Sequence, residues 1–505
     1  MAREYLPLTF EGGMPFDPLR SKTGPGAADM IRNWVPQVDG SLKPRKDFFY
    51  GGAGTGTAPL AVHSIFWSPI AANIGGLMTA EVSGGNTLIR RCTNPQSPTW
   101  SLVDTLTSVS STEWVPFADG LNRVIYGNHN FPSDRLRIWD GAAAADASTA
   151  AVAGRALAFH KQRFFSGGTD AAASRLHYSG ANSATDWDVN RYIDVRPDNG
   201  TILALLSTPQ GLLIGKSTGL FLMTGDGPGS FAIQDIVGGE AAMGTSMIQT
   251  TAGVFIEGSD GVYVWTGGLT SERLDWPNWT GGQTATIFPI STAVLGDVIY
   301  FCDRFENVIH CLDTRRGVWW IESSNTGAGS FNDDLFHFDA TDYPSAICNA
   351  GFAPGYDLTM IVAGMLLGTT APGVSYKNTE VTGYATDKSF PEDFRVEKDE
   401  IVLGSGAHRA TLHGIHLLLT NGPGVGEPDL TFEVSAIGET GVPTFVQAIP
   451  DTGRSYAFIG DIGLTAHRFN LSFYHEQLAD KQGYEIKHMI LEYELEQPRS
   501  GIGPP

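Results

Sequence analysis

Along residues 49–365 the chain alternates short apolar runs with clusters of Gly, Asp, Asn and Ser. The runs are rich in β-branched and aromatic side chains, which is the signature of strands between tight turns. Helical periodicity is scarce. Only Ala27–Trp34 and the alanine-rich stretch 141–153 approach it; the first is short and the second lacks an apolar stripe.

Two segments repeat. Residues 211–225 read GLLIGKSTGLFLMTG and residues 253–267 read GVFIEGSDGVYVWTG. Aligned without a gap they share Gly211/Gly253, Ile214/Ile256, Ser217/Ser259, Gly219/Gly261, Thr224/Thr266 and Gly225/Gly267, an offset of 42 residues. Each copy predicts a strand, a tight turn whose glycine supplies positive φ, and a second strand. Weaker hairpins flank the pair: Leu77–Val82 with Thr87–Cys92, Asn122–Gly127 with Leu136–Gly141, Gln162–Gly167 with Arg175–Ser179, and Asp297–Cys302 with Val308–Asp313. Their starting points lie 40 to 49 residues apart, the length of a four-stranded propeller blade. Six hairpins are visible. A seventh fits 330–365, where Ser330–Phe338 and Ser345–Ala350 have strand character. The predicted fold is all-β: a β-propeller of six or seven blades over 49–365, plus a C-terminal β-sandwich. Stacking blades around an axis buries both faces of each sheet, which one blade cannot do alone.

The flanks read differently. Residues 1–48 carry Pro7, Pro15, Pro18, Pro25, Pro36 and Pro44, which break any long helix or central strand. They predict an extended N-terminal arm ordered by another surface. Residues 366–392, rich in Thr, Gly, Ser and Pro, read as a linker. From 393 to 497 alternation returns in seven strands: Phe394–Leu403, Ala410–Thr420, Leu430–Ser435, Thr444–Ala448, Ser455–Ile459, Ala466–Tyr474 and Tyr484–Tyr493. That number over so short a span suggests a sandwich of jelly-roll or immunoglobulin-like shape. Residues 498–505 form a tail.

Composition narrows the function. The chain has 505 residues, 61 Gly and 28 Pro, which suits many short strands. Its net charge of −21 argues against gripping phosphates by bulk electrostatics, so a sequence-reading DNA binder is disfavoured. No apolar run reaches the length of a membrane-spanning helix; Thr359–Leu367 is too short. The opening MAREYLPLTF lacks the pattern of a secretory signal. Four cysteines are too few for a disulfide scaffold. Cys302 and Cys311 fall diagonally on one face of a hairpin, where a disulfide is open but two buried thiols are the preferred reading.

No specific catalytic constellation is present, and the sequence predicts no catalytic, cofactor-binding or metal residue. Gly51–Gly56 lacks the P-loop lysine and reads as a flexible turn. His413 and His416 have odd spacing on a strand, which predicts opposite faces and no shared metal with His408. Asp260, Asp303, Asp313, Asp333 and Asp334 are unpatterned, so no glycosidase pair stands out. Ser259-Asp260-Gly261 only grazes a sialidase Asp-box and reads as a hairpin turn. Trp265, Trp276, Trp279, Trp319 and Trp320 suit sugar stacking or, more simply, blade cores. The basic cluster Lys43-Pro44-Arg45-Lys46 suits a subunit contact at least as well as nucleic acid, and Arg315-Arg316 is expected at a blade turn.

Four segments carry a family resemblance: RNWVPQVDGSLKPRKDFFY (Arg32–Tyr50), HKQRFFSGG…SRLHYSGANSATDWD (His160–Asp188), RRGVWW (Arg315–Trp320) and GYEIKHMILEYE (Gly483–Glu494). They resemble the tail-hub, or nozzle, proteins of short-tailed bacteriophages, and are similar to P22-like packaged-DNA stabilisation proteins. The resemblance spans most of 32–495 as scattered motifs. It implies a non-enzymatic structural protein of the virion tail, assembled in the host cytoplasm. It implies a homohexameric channel below the portal-adaptor ring that retains packaged DNA and conducts it at ejection. The implied partners are further copies of itself, the portal-adaptor ring, tail fibres or spikes, a tail needle or plug, and genomic DNA passing through the lumen without sequence-specific binding. The proline-rich arm suits docking onto a neighbouring subunit, and the acidic balance suits a channel wall along which DNA slides. Two alternatives from other classes are a receptor- or glycan-binding propeller module and a propeller glycan hydrolase.

Overall fold

The alternating apolar runs become strands, and every regular element among the described residues is a strand. The computed structural model describes residues 3–8, 10, 30–32, 34–44, 49–50, 62–70, 76–83, 85–92, 99–107, 114–127, 135–197, 200–241, 244–258, 261–274, 290–303, 308–322, 342–350, 359–366, 374–378, 392–403, 409–420, 430–437, 444–449, 456–477 and 485–496.

The arm supplies β1 (Glu4–Leu8), β2 (Met30–Arg32), β3 (Trp34–Pro36), β4 (Leu42–Pro44) and β5 (Phe49–Tyr50). Four-stranded antiparallel sheets then follow one another. The first holds β6 (Val62–Ser68), β7 (Gly76–Ser83), β8 (Asn86–Cys92) and β9 (Trp100–Leu106). The second holds β10 (Phe117–Gly120), β11 (Arg123–Tyr126), β12 (Arg137–Trp139) and β13 (Ala144–Asp146). The third holds β14 (Ala156–His160), β15 (Arg163–Thr169), β16 (Ala172–Tyr178) and β17 (Tyr192–Asp194). The fourth holds β18 (Ile202–Ser207), β19 (Leu212–Lys216), β20 (Gly219–Thr224) and β21 (Ala232–Ile236). After β22 (Gly244–Thr245), the fifth holds β23 (Met247–Gln249), β24 (Val254–Gly258), β25 (Gly261–Trp265) and β26 (Glu272–Leu274). The sixth holds β27 (Ile290–Leu295), β28 (Val298–Asp303), β29 (Val308–Asp313) and β30 (Val318–Glu322), with β22 paired in parallel to β27. The seventh holds β31 (Asp342–Ala350), β32 (Thr359–Leu366) and β33 (Val374–Asn378).

The fourth place in the seventh sheet is filled from the other end of the chain. Ser375 and Tyr376 of β33 pair with Tyr50 and Phe49 of β5. First strands neighbour one another from β10 through β14, β18, β23, β27 and β31, and β31 returns to β6. Between β6 and β10, the Val115 amide donates to Ser64 Oγ at 2.9 Å, and Ser68 Oγ donates to Asp119 Oδ2 at 2.7 Å. This strand order is the one a seven-bladed propeller requires. Thr359–Leu366, apolar but short, is a blade strand. The segment 366–392, expected as a linker, contains β33, because the seventh blade needs a third strand before β5 can complete it. Ser330–Phe338, expected as a strand, lies outside the described residues.

The hairpins read from the sequence are the second and third strands of the first six blades. Several of those strands are buried on both faces, as in β19 and β24. Fourth strands such as β13, β17 and β26 face solvent and carry charge. The repeat's paired glycines Gly225 and Gly267 have φ of 103° and 109°, a backbone that a side chain would strain.

Beyond the blades lie β34 (Glu392–Ile401), β35 (Ala410–Thr420), β36 (Leu430–Ala436), β37 (Phe445–Ile449), β38 (Tyr456–Ile459), β39 (Leu464–Ala466), β40 (Phe469–Gln477) and β41 (Glu485–Leu495). The strand expected over Ala466–Tyr474 is divided between β39 and β40, which pair with different sheets. One sheet runs β3-β4-β41-β35-β38, with β1 also on β41 and β39 on β35. The other runs β34-β40-β36-β37. Leu412, Ile415, Leu417, Met489 and Leu491 of the first join Val396, Phe432, Val434, Leu471 and Phe473 of the second in one buried cluster.

The described strands of the arm therefore pair within their own chain rather than waiting on a neighbouring subunit. Residues Glu4–Leu8 pair antiparallel with Tyr493–Met489, and Pro7 sits on this outer strand, where its missing N–H costs no ladder bond. Met30–Arg32 pairs with Glu397–Arg395 on one side, and Arg32 bridges Ile321 of β30 on the other. The result is one ten-stranded sheet that runs from the sixth blade through β2 into the sandwich. Ala27–Trp34 accordingly ends in strands rather than a helical turn, and 141–153 contains β13.

Packing follows the same seam. Trp34 is fully buried, 5.1 Å between ring centroids from Phe473, which stacks on Phe432 at 5.4 Å. Phe10 meets Phe473 edge-on at 5.9 Å. Leu8, Phe10, Ile31, Trp34 and Leu42 share one core with Phe301, Trp319 and Trp320 of the sixth blade and with the sandwich. Trp34→Ala is expected to lower unfolding free energy by about 3–5 kcal/mol, the range for deleting a buried aromatic. Exposed Val38→Ser should stay within about 0.5 kcal/mol of wild type. Urea midpoints measured side by side check both.

Candidate functional site

The outer face of the β1-β41-β35-β38 sheet gathers chemistry that the sequence pattern placed apart. On regular strands, His413 and His416 would point to opposite sides. The pairing of β35 with β41 shifts register between Leu412 and Gly414, so His413 is the extra residue of a β-bulge. The bulge reverses the alternation and brings both imidazoles to one face with Glu492 and Glu494, correcting the expected opposition. His416 Nε2 lies 3.0 Å from Glu492 Oε2, and His413 Nε2 lies 3.3 Å from Glu494 Oε2. Arg3 donates to Glu492 from the arm. On the core-facing side of the same strands, the phenol of Tyr493 donates to Glu4 Oε2 at 2.7 Å.

Glu492 is almost fully buried, and burial opposes its ionisation; hydrogen bonds from Arg3 and His416 outweigh that and hold it below the ordinary glutamate value. His416 Nδ1 lies 2.6 Å from the Tyr456 hydroxyl, so both imidazole nitrogens are engaged. Around this network stand Tyr5, Tyr456 and Phe458, exposed by 58%, 51% and 49%. His408 lies outside the described residues. Among the described residues, no group of three or more His, Cys, Asp or Glu side chains is placed to hold a metal ion.

The second notable region is the seam at the sixth blade. The β29–β30 turn holds Arg315 and Arg316, as expected of a blade turn. Arg316 Nε is 2.7 Å from Asp313 Oδ2, and its Nη1 donates to Pro36 O at 2.9 Å. One guanidinium thus ties the blade to the arm strand β3. Arg315 pairs with Asp297 at 2.9 Å.

Other buried polar groups serve blade packing. Lys216 is fully buried in β19 and donates to the carbonyls of Val195 and Arg196, each at 2.9 Å, and to Ser174 Oγ at 3.1 Å. Asp104 accepts both Nε and Nη2 of Arg137 and the phenol of Tyr126, joining the first blade to the second. Burial raises the Asp119 pKa, while its hydrogen bond from Ser68 opposes the rise. Burial lowers the pKa of both His160 and His177 in the third blade; for His177 the result is about 4, with Arg175 adding to the shift.

Cys302 and Cys311 are buried thiols, diagonal across β28 and β29 as the hairpin register dictates. Trp265, Trp319 and Trp320 are buried in blade cores rather than displayed to a sugar. Trp276, Trp279, Asp260, Asp333, Asp334, Arg45, Lys46 and Gly51–Gly56 lie outside the described residues. No residue pattern announced the outer-face cluster, because it is assembled from β1, β35, β38 and β41.

No protein-family model and no curated protein matches the chain. Among solved structures it is similar to yeast Sqt1 (Saccharomyces cerevisiae) at 10% identity and TM-score 0.37, covering 70% of this chain and 100% of that one. It is similar to an exo-beta-1,3-galactanase from Phanerochaete chrysosporium at 10% identity and TM-score 0.28, covering 88% and 99%. It is also similar to AztD from Citrobacter koseri at 12% identity and TM-score 0.31, covering 53% and 73%. At these scores no activity carries across.

The titrating groups predict two pH windows. The Glu492 pKa lies below its unfolded value of about 4.3, so its stabilisation is complete above that pH and is lost as pH falls through the folded value. His177 is held neutral by burial, so protonation of the unfolded chain drains stability as pH falls from about 6.5 toward about 4. Urea midpoints taken from pH 7 to 3 are expected to lose the upper decline in His177→Gln and the lower one in Glu492→Gln.

Proposed function

We propose that this protein is a structural component of the virion tail, a nozzle or hub of a short-tailed bacteriophage that assembles as a homohexameric channel below the portal-adaptor ring. In this reading it retains packaged DNA, conducts it during ejection, and carries fibres or spikes and a needle or plug. The observation that carries the reading is where the family-like segments fall. Arg32–Tyr50 supplies arm strands β3, β4 and β5 and the end of β2; Arg315–Trp320 supplies the turn into β30; Gly483–Glu494 supplies most of β41. These three segments, far apart in the chain, meet at one seam: Arg316 donates to Pro36 O, and β4 pairs with β41. The fourth, His160–Asp188, makes the core of the third blade.

Such a seam suits a tail component. A subunit that bears internal DNA pressure and transmits load needs its two domains fixed to each other, and continuous strand pairing does this better than a polar inter-domain contact. The arm spends its pairing within the subunit, so in this proposal ring contacts come from blade and sandwich surfaces.

Native mass spectrometry of the full chain, alone and with a purified portal-adaptor complex, tests the proposal. The expected result is a species containing six 54.1-kDa chains, formed on the portal complex. A chain that stays monomeric and ignores the portal complex contradicts it.

A further inference from the structure

We infer that the outer face of the sandwich carries a binding site for a neutral oligosaccharide, built on Tyr5, His416, Tyr456 and Phe458. The site stands independently of the tail assignment, since it uses only the geometry of one sheet face.

The row crosses four strands. Tyr5 of β1 is opposite Glu492 of β41, which is opposite Gly414 of β35; His416 and Leu418 of β35 are opposite Phe458 and Tyr456 of β38. Three inter-strand steps of about 4.8 Å give the row a length of about 14 Å, an oligosaccharide's reach rather than a single ring's. Ring centroids lie 5.9 Å apart for Tyr5 and His416, and 4.6 Å for His416 and Phe458.

Phe458 is seated by two glycines. A Cβ at Gly414 would lie 2.5 Å from Phe458 Cε2, and one at Gly460 would lie 2.8 Å from its Cε1. Their bare backbones let the ring rest against the sheet, which leaves about half of it open to solvent. His416 is fixed at both nitrogens, and its partner Tyr456 is thereby fixed too. Rings held in place before binding lose little entropy when a ligand stacks on them.

Charge selects the ligand class. Arg3 and His416 face Glu492, and His413 faces Glu494. His488 stands on the exposed side of β41, while Glu4, hydrogen-bonded to the core residue Tyr493, lies on the other face of β1 from Tyr5. Each inward carboxylate is already matched, so the row offers no unbalanced charge to a cationic or anionic partner. It offers aromatic faces for the C–H faces of sugars, with the part-exposed Glu494 carboxylate as an acceptor for their hydroxyls. Area argues against a protein partner. Three half-exposed rings present about 100 Å² each, well under the roughly 800 Å² per partner of a stable protein interface.

Affinity electrophoresis of the full chain through gels containing soluble galactan, glucan or mannan tests the inference. Retardation is expected in at least one polysaccharide, weakened at least tenfold in Phe458→Ala and in Tyr5→Ala. Both side chains are half exposed, so both variants are expected to melt with wild type. Migration unchanged in all three polysaccharides overturns the inference, as does retardation that survives both substitutions. A concentration-dependent mass increase abolished by Phe458→Ala would assign the row to a second copy of the chain and likewise overturn it.

Discussion

Met30–Arg32 pairs along its length with β34 and bridges β30 through Arg32, and the domain arrangement depends on that placement. Without β2 the sixth blade would end at β30 and the sandwich sheet would end at β34, each with an open edge. Unpaired edges template association with other chains. With β2 in place, part of each edge is covered and a single sheet passes from blade to sandwich. The side chains agree with the backbone. Val318–Glu322 is buried along its whole length, whereas the corresponding outer strands β13, β17 and β26 are half exposed. An outer blade strand that is apolar on both faces only makes sense with another layer over it.

The same arm does several jobs along its length. Strand β5 completes the seventh blade, β2 joins blade to sandwich, β3 and β4 extend the sandwich, and β1 brings Arg3 and Tyr5 to the outer face. Residue 4 meets residue 493 and residue 30 meets residue 397. Such distant pairings have a high loop-closure cost, so the seam is expected to form after both domains have most of their local hairpins. Trp34 and Phe10 against Phe473 supply the apolar contact that offsets that cost.

Most of the repetitive fold was legible in the sequence, for a physical reason. Middle blade strands are more buried than the outer ones and joined by short turns, so they appear as apolar hairpins at a regular offset. Sandwich strands appeared through alternation; Ala410–Thr420 matches its predicted bounds. The arm strands were not legible. They are two to five residues long, contain Pro7, Pro36 and Pro44, and apart from the local β3–β4 hairpin take their pairing from residues hundreds of positions away. The seventh blade was half visible because its last strand comes from Phe49–Tyr50 rather than from a fourth local run. The outer-face cluster was hidden by the bulge at His413, since residue spacing alone puts His413 and His416 on opposite sides. The one available clue was Val318-Trp319-Trp320-Ile321, too apolar for an exposed edge.

The central claim is that β2 is an interior strand joining blade and sandwich. Native-state hydrogen exchange followed by mass spectrometry reads it most directly, through peptides covering Met30–Arg32, Val318–Glu322 and Glu392–Ile401. The account predicts that β2 and β30 amides exchange only as slowly as the sandwich core strand β40, through the same opening. Fast exchange of Met30–Arg32, at the rate of an exposed edge while β40 stays protected, would contradict it.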